Sequence, residues 1–402
     1  MSERRPAVDP FGGFAQGSAA PEGVAQRSAA PEGVAPADPA ALTEPTAPTE
    51  PAAPDPSALV CPAPIPERAR VLLGHGSGGQ LSAALMREVI APALAGVTPG
   101  GPLNDAAVVE VAGRRLAFTT DSFVVSPLEF PGGDIGELAV NGTVNDLAMM
   151  GAQPLALSLA YVIEEGLPIE DLRRVTESVA RAAKRAGVRI VTGDTKVVGR
   201  GAADGLFVNT AGIGLVADGV SVAADRAAIG DAVILSGPIG LHGIAIMSIR
   251  EGLEFEVEIA SDTQSLNALV AAIVAACPSV HVLRDPTRGG LASALNEIAA
   301  ASGVGIELRE ETIPIPGPVR AACEMLGLDP LHVANEGKLV AIVPAASVEA
   351  VLAAMRSVAS GVDAVEIGRV VADHPSMVTM RTIVGSQRIV DMLVGEQLPR
   401  IC

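Results

Sequence analysis

From residue 66 onward the apolar positions switch between a helical and an extended period. Leu81, Leu85, Val89 and Ile90 share one face and predict a helix over 80–94. Residues 106–111 and 115–120 predict strands joined by a turn at Gly113, and 134–150 a helix entered through an Asp134 cap. A strand over 154–163 follows. Leu172, Val175, Val179 and Ala183 then mark a helix over 170–186, with Arg and Lys on its other side. Strands are predicted over 188–192 and 206–216. Periodicity weakens at 218–226, and Gly230-Asp231 opens a strand over 232–236, so a domain boundary falls there. The second half alternates helices (241–250, 265–276, 290–301, 318–326, 346–357) with strands (280–284, 304–308, 338–343, 364–370). The pattern predicts two α/β (α+β) domains, 66–217 and 218–390, each large enough for its own core. A tail over 391–402 contains Gly395 and Pro399, which resist regular structure.

Residues 1–65 break this pattern. They carry 13 of the 31 prolines and a short near-repeat, Ser-Ala-Ala-Pro-Glu-Gly-Val-Ala, at 18–25 and 28–35. Proline at this density removes backbone donors, and little of the segment is apolar enough to bury. The expectation is a disordered or polyproline-like extension.

Composition narrows the function. With 28 basic and 46 acidic residues the formal net charge is −18, and no basic run is present, which argues against a nucleic-acid module. The absence of Trp and the single Tyr exclude an aromatic stacking platform. No stretch is long and apolar enough for a membrane span, and the N-terminus has no apolar signal core. Cys61, Cys277, Cys323 and Cys402 show no Cys-x-x-Cys spacing, so neither a zinc site nor a disulfide framework is expected, and a reducing cytoplasm is the expected compartment.

Four features carry candidate chemistry. Gly74-His75-Gly76-Ser77-Gly78-Gly79 opens a helix, where glycines let backbone N–H groups approach an anion; a flexible connector is the alternative. Asn104-Asp105, Thr120-Asp121-Ser122, Asn145-Asp146 and Gly193-Asp194-Thr195-Lys196 place carboxylates beside small or apolar residues at expected strand or helix edges. Hard oxygen donors converging from several segments suit Mg²⁺ bridging nucleotide phosphates, whereas any one of them alone reads as a cap or turn residue. Lys196 either neutralises a phosphate, shuttles a proton or is an exposed lysine. Arg284-Asp285-Pro286-Thr287-Arg288-Gly289-Gly290 enters another helix, Asn335-Glu336-Gly337-Lys338 precedes a strand, and His242 reads as a packed side chain. Cys402 is the last residue; it is too late for a prenylation box, and on a tail with Gly and Pro it can reach a site as a carrier thiol.

Taken together these motifs resemble the HypE family of hydrogenase maturation proteins, the carbamoyl dehydratases. That family belongs to a wider ATP-binding group with aminoimidazole ribonucleotide synthetase, selenophosphate synthetase and thiamine-monophosphate kinase. The resemblance covers residues 74–402, and Pro399-Arg400-Ile401-Cys402 is its most specific part. It implies a two-domain fold whose N-terminal strands pair across a homodimer into a barrel, ATP between the domains, and a mobile tail. It implies that HypF carbamoylates Cys402, that ATP-dependent dehydration yields a thiocyanate, and that the cyano group passes to iron on a HypC–HypD complex. By the same resemblance Asp105, Asp121, Asp146 and Asp194 are metal ligands, and Gly76, Gly78, Asn145 and Asp285 join them around the nucleotide. Lys196 and Glu336 are the proton-transfer candidates beside Cys402. The competing readings are a small-molecule kinase or synthetase of the same group, and a nucleotide-binding assembly scaffold.

Overall fold

The computed structural model describes residues 70–98, 101, 103–253, 257–393 and 400–402. The proline-rich segment 1–65, Cys61 and Pro399 lie outside the described residues. Among the described residues no helix is long and apolar enough to cross a membrane.

The first helical stretch is irregular: α1 (Gln80–Leu85) runs through a π-helical turn at Met86–Ile90 into α2 (Ala91–Ala93). Next, β1 (Ala107–Val111) and β2 (Arg114–Phe123) form a hairpin. Its turn takes Ala112 and Gly113 to φ 50° and 72°, the positive values a two-residue type I′ connection needs. The short pair β3 (Glu129–Phe130) and β4 (Gly133–Asp134) leads into α3 (Ile135–Met149). Asp134 caps α3, accepting from the Gly136 and Glu137 amides at 2.8 and 2.9 Å. Then come β5 (Ala152–Glu164), α4 (Ile169–Ala186), β6 (Arg189–Val198) and β7 (Leu206–Val216).

These strands form one sheet in the order β1-β2-β7-β5-β6, open at β1 and β6. Alternation decides its faces. Ala117, Thr119, Phe123, Leu157, Val208 and Thr210 turn inward toward α3 and α4 and are buried. The other face is bare: Phe118, Ile213 and Val109, brought together by the register, are each more than 40% exposed.

The second sheet is layered on both sides. It is built from β8 (Ala232–Leu235), β9 (Val282–Arg284), β10 (Gly305–Arg309), β11 (Val340–Val343), β12 (Val365–Val371), β13 (Val378–Arg381) and β14 (Gln387–Val390). Their order is β14-β13-β10-β12-β8-β11-β9, antiparallel except for β10–β13. Helices α5 (Leu241–Arg250), α6 (Asn267–Ala276), α7 (Gly290–Ser302), α8 (Gly317–Leu326) and α9 (Val348–Arg356) surround it. Along β8, Val233 and Leu235 pack toward Leu291, Leu295 and Ile298 of α7. Ala232 and Ile234 pack toward Leu269 and Ile273 of α6 and Met355 of α9. A third apolar cluster joins Phe123, Phe130 and Ile135 to Ile244 and Ile246 of α5 and Val319 of α8, and Ile401 sits in it.

Beyond the strand expected to end at 370, β13 and β14 form a hairpin that the pattern does not announce; each is four residues, too short to show a period. One expectation is corrected. The strand expected over 188–192 continues to Val198, so Asp194 lies inside a strand and not at its end. That edge strand is exposed and mixes Thr, Gly, Asp and Lys, which hid its extent.

Candidate functional site

Three buried or half-buried carboxylates converge where β1, α3 and β9 meet. One oxygen from each of Asp105, Asp146 and Asp285 lies within 4.8 Å of the others. Asp105 enters from the coil before β1, Asp146 from the last turn of α3, and Asp285 from the residue after β9. Thr119 on β2 donates to Asp146 Oδ2 at 2.8 Å, and Arg284 meets Asp105 at 2.8 Å while its other arm engages Glu297. Burial pushes the Asp105 carboxyl up to about 6, with Arg284 opposing and Glu297 adding. Burial, then the neighbouring carboxylates, holds Asp146 and Asp285 well above the usual carboxylate range. Asp121 is also raised by burial, with Arg288 and the Ser122 amide pulling it down. Buried carboxylates that oppose one another's ionisation form an oxygen-only donor set with surplus negative charge, which a hard divalent cation relieves.

The terminal thiol docks beside this cluster. Cys402, Ile401 and Arg400 line a cavity of about 200 Å³ together with Gly76, Ser122 and Arg288. Ile401 is 5% exposed, and burying such a side chain contributes roughly 2–3 kcal/mol. Arg250 Nε donates to Ser126 O at 2.5 Å, and its guanidinium also reaches Arg400 O. Arg400 pairs with Asp204 at 2.6 Å. Burial pushes the Cys402 thiol up to about 12, with Arg288 lowering it and Glu336 and Asp121 raising it. Glu336 is 4% exposed, and its Oε1 has no hydrogen-bond partner. Burial and the charges of Asp285, Asp262 and Asp121 hold its carboxyl well above the ordinary range. Its backbone is fixed by a 3.0 Å bond from its N–H to Asp262 Oδ1.

The other expected residues fall elsewhere. Asp194 and Lys196 are exposed and paired to each other at 2.6 Å. Asp194 pairs across the sheet with Ala160, Ala160 with Asn209, and Asn209 with Ser122. Ser122 faces opposite to Asp121 by alternation, so one chain puts Asp194 and Lys196 on the bare sheet face, away from the acid cluster. Asn145 is buried, with its amide donating to Gln264 O at 3.1 Å and its carbonyl accepting from Leu266 N at 2.7 Å. It braces the chain under the site. In the glycine loop, the amides of Ser77, Gly78 and Gln80 are engaged by Gly74 O, Ser82 Oγ and Leu393 O. Gly78 has φ 79°, and a Cβ there would meet Arg288 Cβ at 2.7 Å, so this glycine lets the loop pack on Arg288. Gly76 borders the thiol cavity, and a Cβ added there would meet nothing within 4 Å.

Sequence reasoning gave neither Arg284 nor Arg288 a role. Arg284 faces the acids from the end of β9 and Arg288 from the loop that follows it, a placement only the three-dimensional fold produces. It also gave Asp285 to the nucleotide alone, whereas this residue completes the carboxylate trio.

The chain is similar to known proteins over most of its length. The AIR synthase related protein N-terminal domain matches residues 103–216, and the AIR synthase related protein C-terminal domain matches residues 228–380. Carbamoyl dehydratase HypE of Azotobacter vinelandii is 55% identical over 82% of this chain and 96% of its own length. Among solved structures, a HypE–HypF complex matches at 47% identity with a TM-score of 0.71, covering 78% of this chain and 99% of that one. A HypE structure in complex with ATP matches at 47% identity with a TM-score of 0.70, covering 83% and 100%.

Proposed function

The chain belongs to the HypE family of AIR synthase-related proteins, and on that premise we infer that it is an ATP-dependent carbamoyl dehydratase of hydrogenase maturation. The observation that carries this reading is the terminal thiol seated in a cavity bordered by Gly76, Ser122 and Arg288, facing Asp121 and Glu336.

A divalent cation fits the residues present, since three mutually repelling buried carboxylates call for one. Asp105, Asp146 and Asp285 would hold Mg²⁺, with Asp121 at the rim. Bound there it would offset charge on the ATP phosphates. The overall change balances simply. Cys402 carries –S–C(=O)–NH₂; the carboxamide oxygen leaves as phosphate after taking the γ-phosphoryl group, both N–H protons depart, and –S–C≡N remains with ADP. A carboxamide oxygen is a poor leaving group, and phosphate is a good one. Arg288 draws negative charge toward the thiol end of the cavity. Glu336, with an unpartnered oxygen and a carboxyl that burial and neighbouring acids hold above the ordinary range, is suited to polarise the carboxamide and exchange protons with it.

HypF is the carbamoyl donor's enzyme in this reading, and iron held by HypC–HypD receives the cyano group; the compartment is the cytoplasm. A second copy of the chain covers the bare face of the first sheet, where Phe118, Ile213 and Val109 are exposed, and the two sheets close into a barrel. That pairing carries Asp194 and Lys196 to the site of the other copy, which accounts for their position on the far face. The tail leaves the cavity to meet HypF and returns for dehydration.

The test is direct. The protein is incubated with HypF, carbamoyl phosphate, Mg²⁺ and ATP, and the tail peptide is weighed. A carbamoyl adduct on Cys402 that loses one water only when ATP is hydrolysable is expected. A small-molecule kinase or synthetase would keep its activity in Cys402→Ala, and a scaffold would show no ATP turnover coupled to water loss; either result ends this reading.

A further inference from the structure

The last three residues dock through main-chain hydrogen bonds. The Val124 amide donates to Cys402 O at 3.0 Å and the Ser126 amide to Arg400 O at 3.3 Å, so alternate amides of 124–126 take alternate carbonyls of the tail. Pairing of this kind is made by main-chain groups and is indifferent to side chains. The intervening carbonyl points the other way, and His242 Nε2 meets Ile401 O at 2.5 Å.

His242 is fully buried on the first turn of α5. A backbone carbonyl only accepts, so Nε2 carries the proton and Nδ1 accepts from Ser261 Oγ at 2.8 Å. Ser261 Oγ in turn accepts from the Thr263 amide at 3.1 Å, and the imidazole stands edge-on to Phe130, 5.5 Å between centroids at 89°. The ring's orientation is therefore fixed before the tail arrives. Its one donor is spent on the tail's backbone, and withdrawal of the tail strips a buried N–H of its partner. The residue between Ser261 and Thr263 is Asp262, which fixes the backbone of Glu336. One loop thus orients both the group that grips the tail and the carboxyl that faces its sulfur.

We propose that His242 is a positioning residue that latches the C-terminal tail in its docked register through the hydrogen bond from Nε2 to the carbonyl of Ile401, and so sets how long the Cys402 sulfur stays at the site. The proposal rests on the carrier-thiol reading above. Its test does not require dehydration to occur.

Alkylation of Cys402 by iodoacetamide is followed by mass spectrometry of the tail peptide, with the full-length protein and no ATP. His242→Phe keeps the ring's packing on Phe130 and removes the donor; alkylation is expected to speed up at least about fivefold, the population change one buried hydrogen bond of this kind carries. His242→Gln restores an amide donor near the Nε2 position, and its rate is expected to return to within about twofold of the parent. Should His242→Phe fail to fold, His242→Asn, whose shorter side chain cannot carry a donor to the Nε2 position, is expected to give the same acceleration. An unchanged rate in folded His242→Phe, or equal acceleration by Phe and Gln, overturns the latch and leaves only a packing role. For His242→Asn an unchanged rate does the same. Absence of dehydration in the parent protein, with alkylation following these expectations, would sink the proposed function and leave the latch standing.

Discussion

The hydroxyl of Thr119, on β2, donates to Asp146, on α3, at 2.8 Å and lies 3.1 Å from the Asp105 carbonyl, which ties the first sheet to the acid cluster. Its partner carboxylate sits within 4.8 Å of two others, so the folded chain without a cation concentrates like charge. Adding millimolar Mg²⁺ at pH 7.5 is therefore expected to raise the melting temperature. Asp146→Asn is expected to melt higher than the parent without metal, to lose most of the Mg²⁺ response and to lose about 100-fold or more in dehydration. Differential scanning fluorimetry with and without EDTA reads the first two effects. An undiminished Mg²⁺ response in Asp146→Asn would falsify the assignment.

The docked thiol makes a pH prediction. Its folded pKa is raised by burial from 9.0 to about 12, so the docked state holds the proton more tightly than the free tail. The resulting stabilisation of docking is fully present below pH 9 and is lost as pH rises through about 12. Alkylation of Cys402 is then expected to keep climbing about tenfold per pH unit beyond pH 9, while a synthetic tail peptide levels off there. A plateau near pH 9 in the intact protein would show that the thiol spends its time in water.

Arg288 and Glu336 pull on that thiol in opposite directions. Glu336→Gln is expected to speed Cys402 alkylation at pH 8, and Arg288→Ala to slow it, each by several-fold for charges this close. Both are expected to depress dehydration by about 100-fold, because the first removes the proton-exchanging carboxyl and the second the cation at the cavity. Rates measured on the same tail peptide give both readings. Movement of the two variants in the same direction would mean that neither charge faces the sulfur.

The order of strands and helices was legible wherever a period ran for two turns or five extended residues. α4 shows it best: Val175, Val179 and Ala183 are buried at the spacing that predicted the helix, and the Arg and Lys side is exposed. β13 and β14 were illegible because four residues cannot display a period. In the site, the motifs named Asp105, Asp146, Asp285, Glu336 and Cys402, which the fold brings into one neighbourhood. The sequence could not say which face of a strand a residue takes once its length is misjudged. That is why Asp194 was grouped with acids it does not meet within one chain. The latch was invisible for a related reason: His242 and Ile401 are far apart in sequence, and a buried histidine carries no local signal of what it grips.

Asp194 and Lys196 lie on the bare sheet face, and the proposed pairing of two chains through that face would give them a site only in the other copy. Breaking the pairing tests the first half. Phe118→Glu puts a charge among Ile213 and Val109, and sedimentation is expected to shift from dimer to monomer with loss of dehydration. Mixing tests the second half. Lys196→Ala and Cys402→Ala are each expected to be inactive alone. When the two proteins are unfolded and refolded together, half the dimers are mixed. In a mixed dimer, Cys402 of the first chain meets the intact Lys196 of the second, so one of its two sites works. About a quarter of the parent activity is then expected to return, with the water loss confined to tails of the Lys196→Ala chain. If Lys196 acted within its own chain, neither site of the mixed dimer would hold both groups, and no activity would return at any mixing ratio.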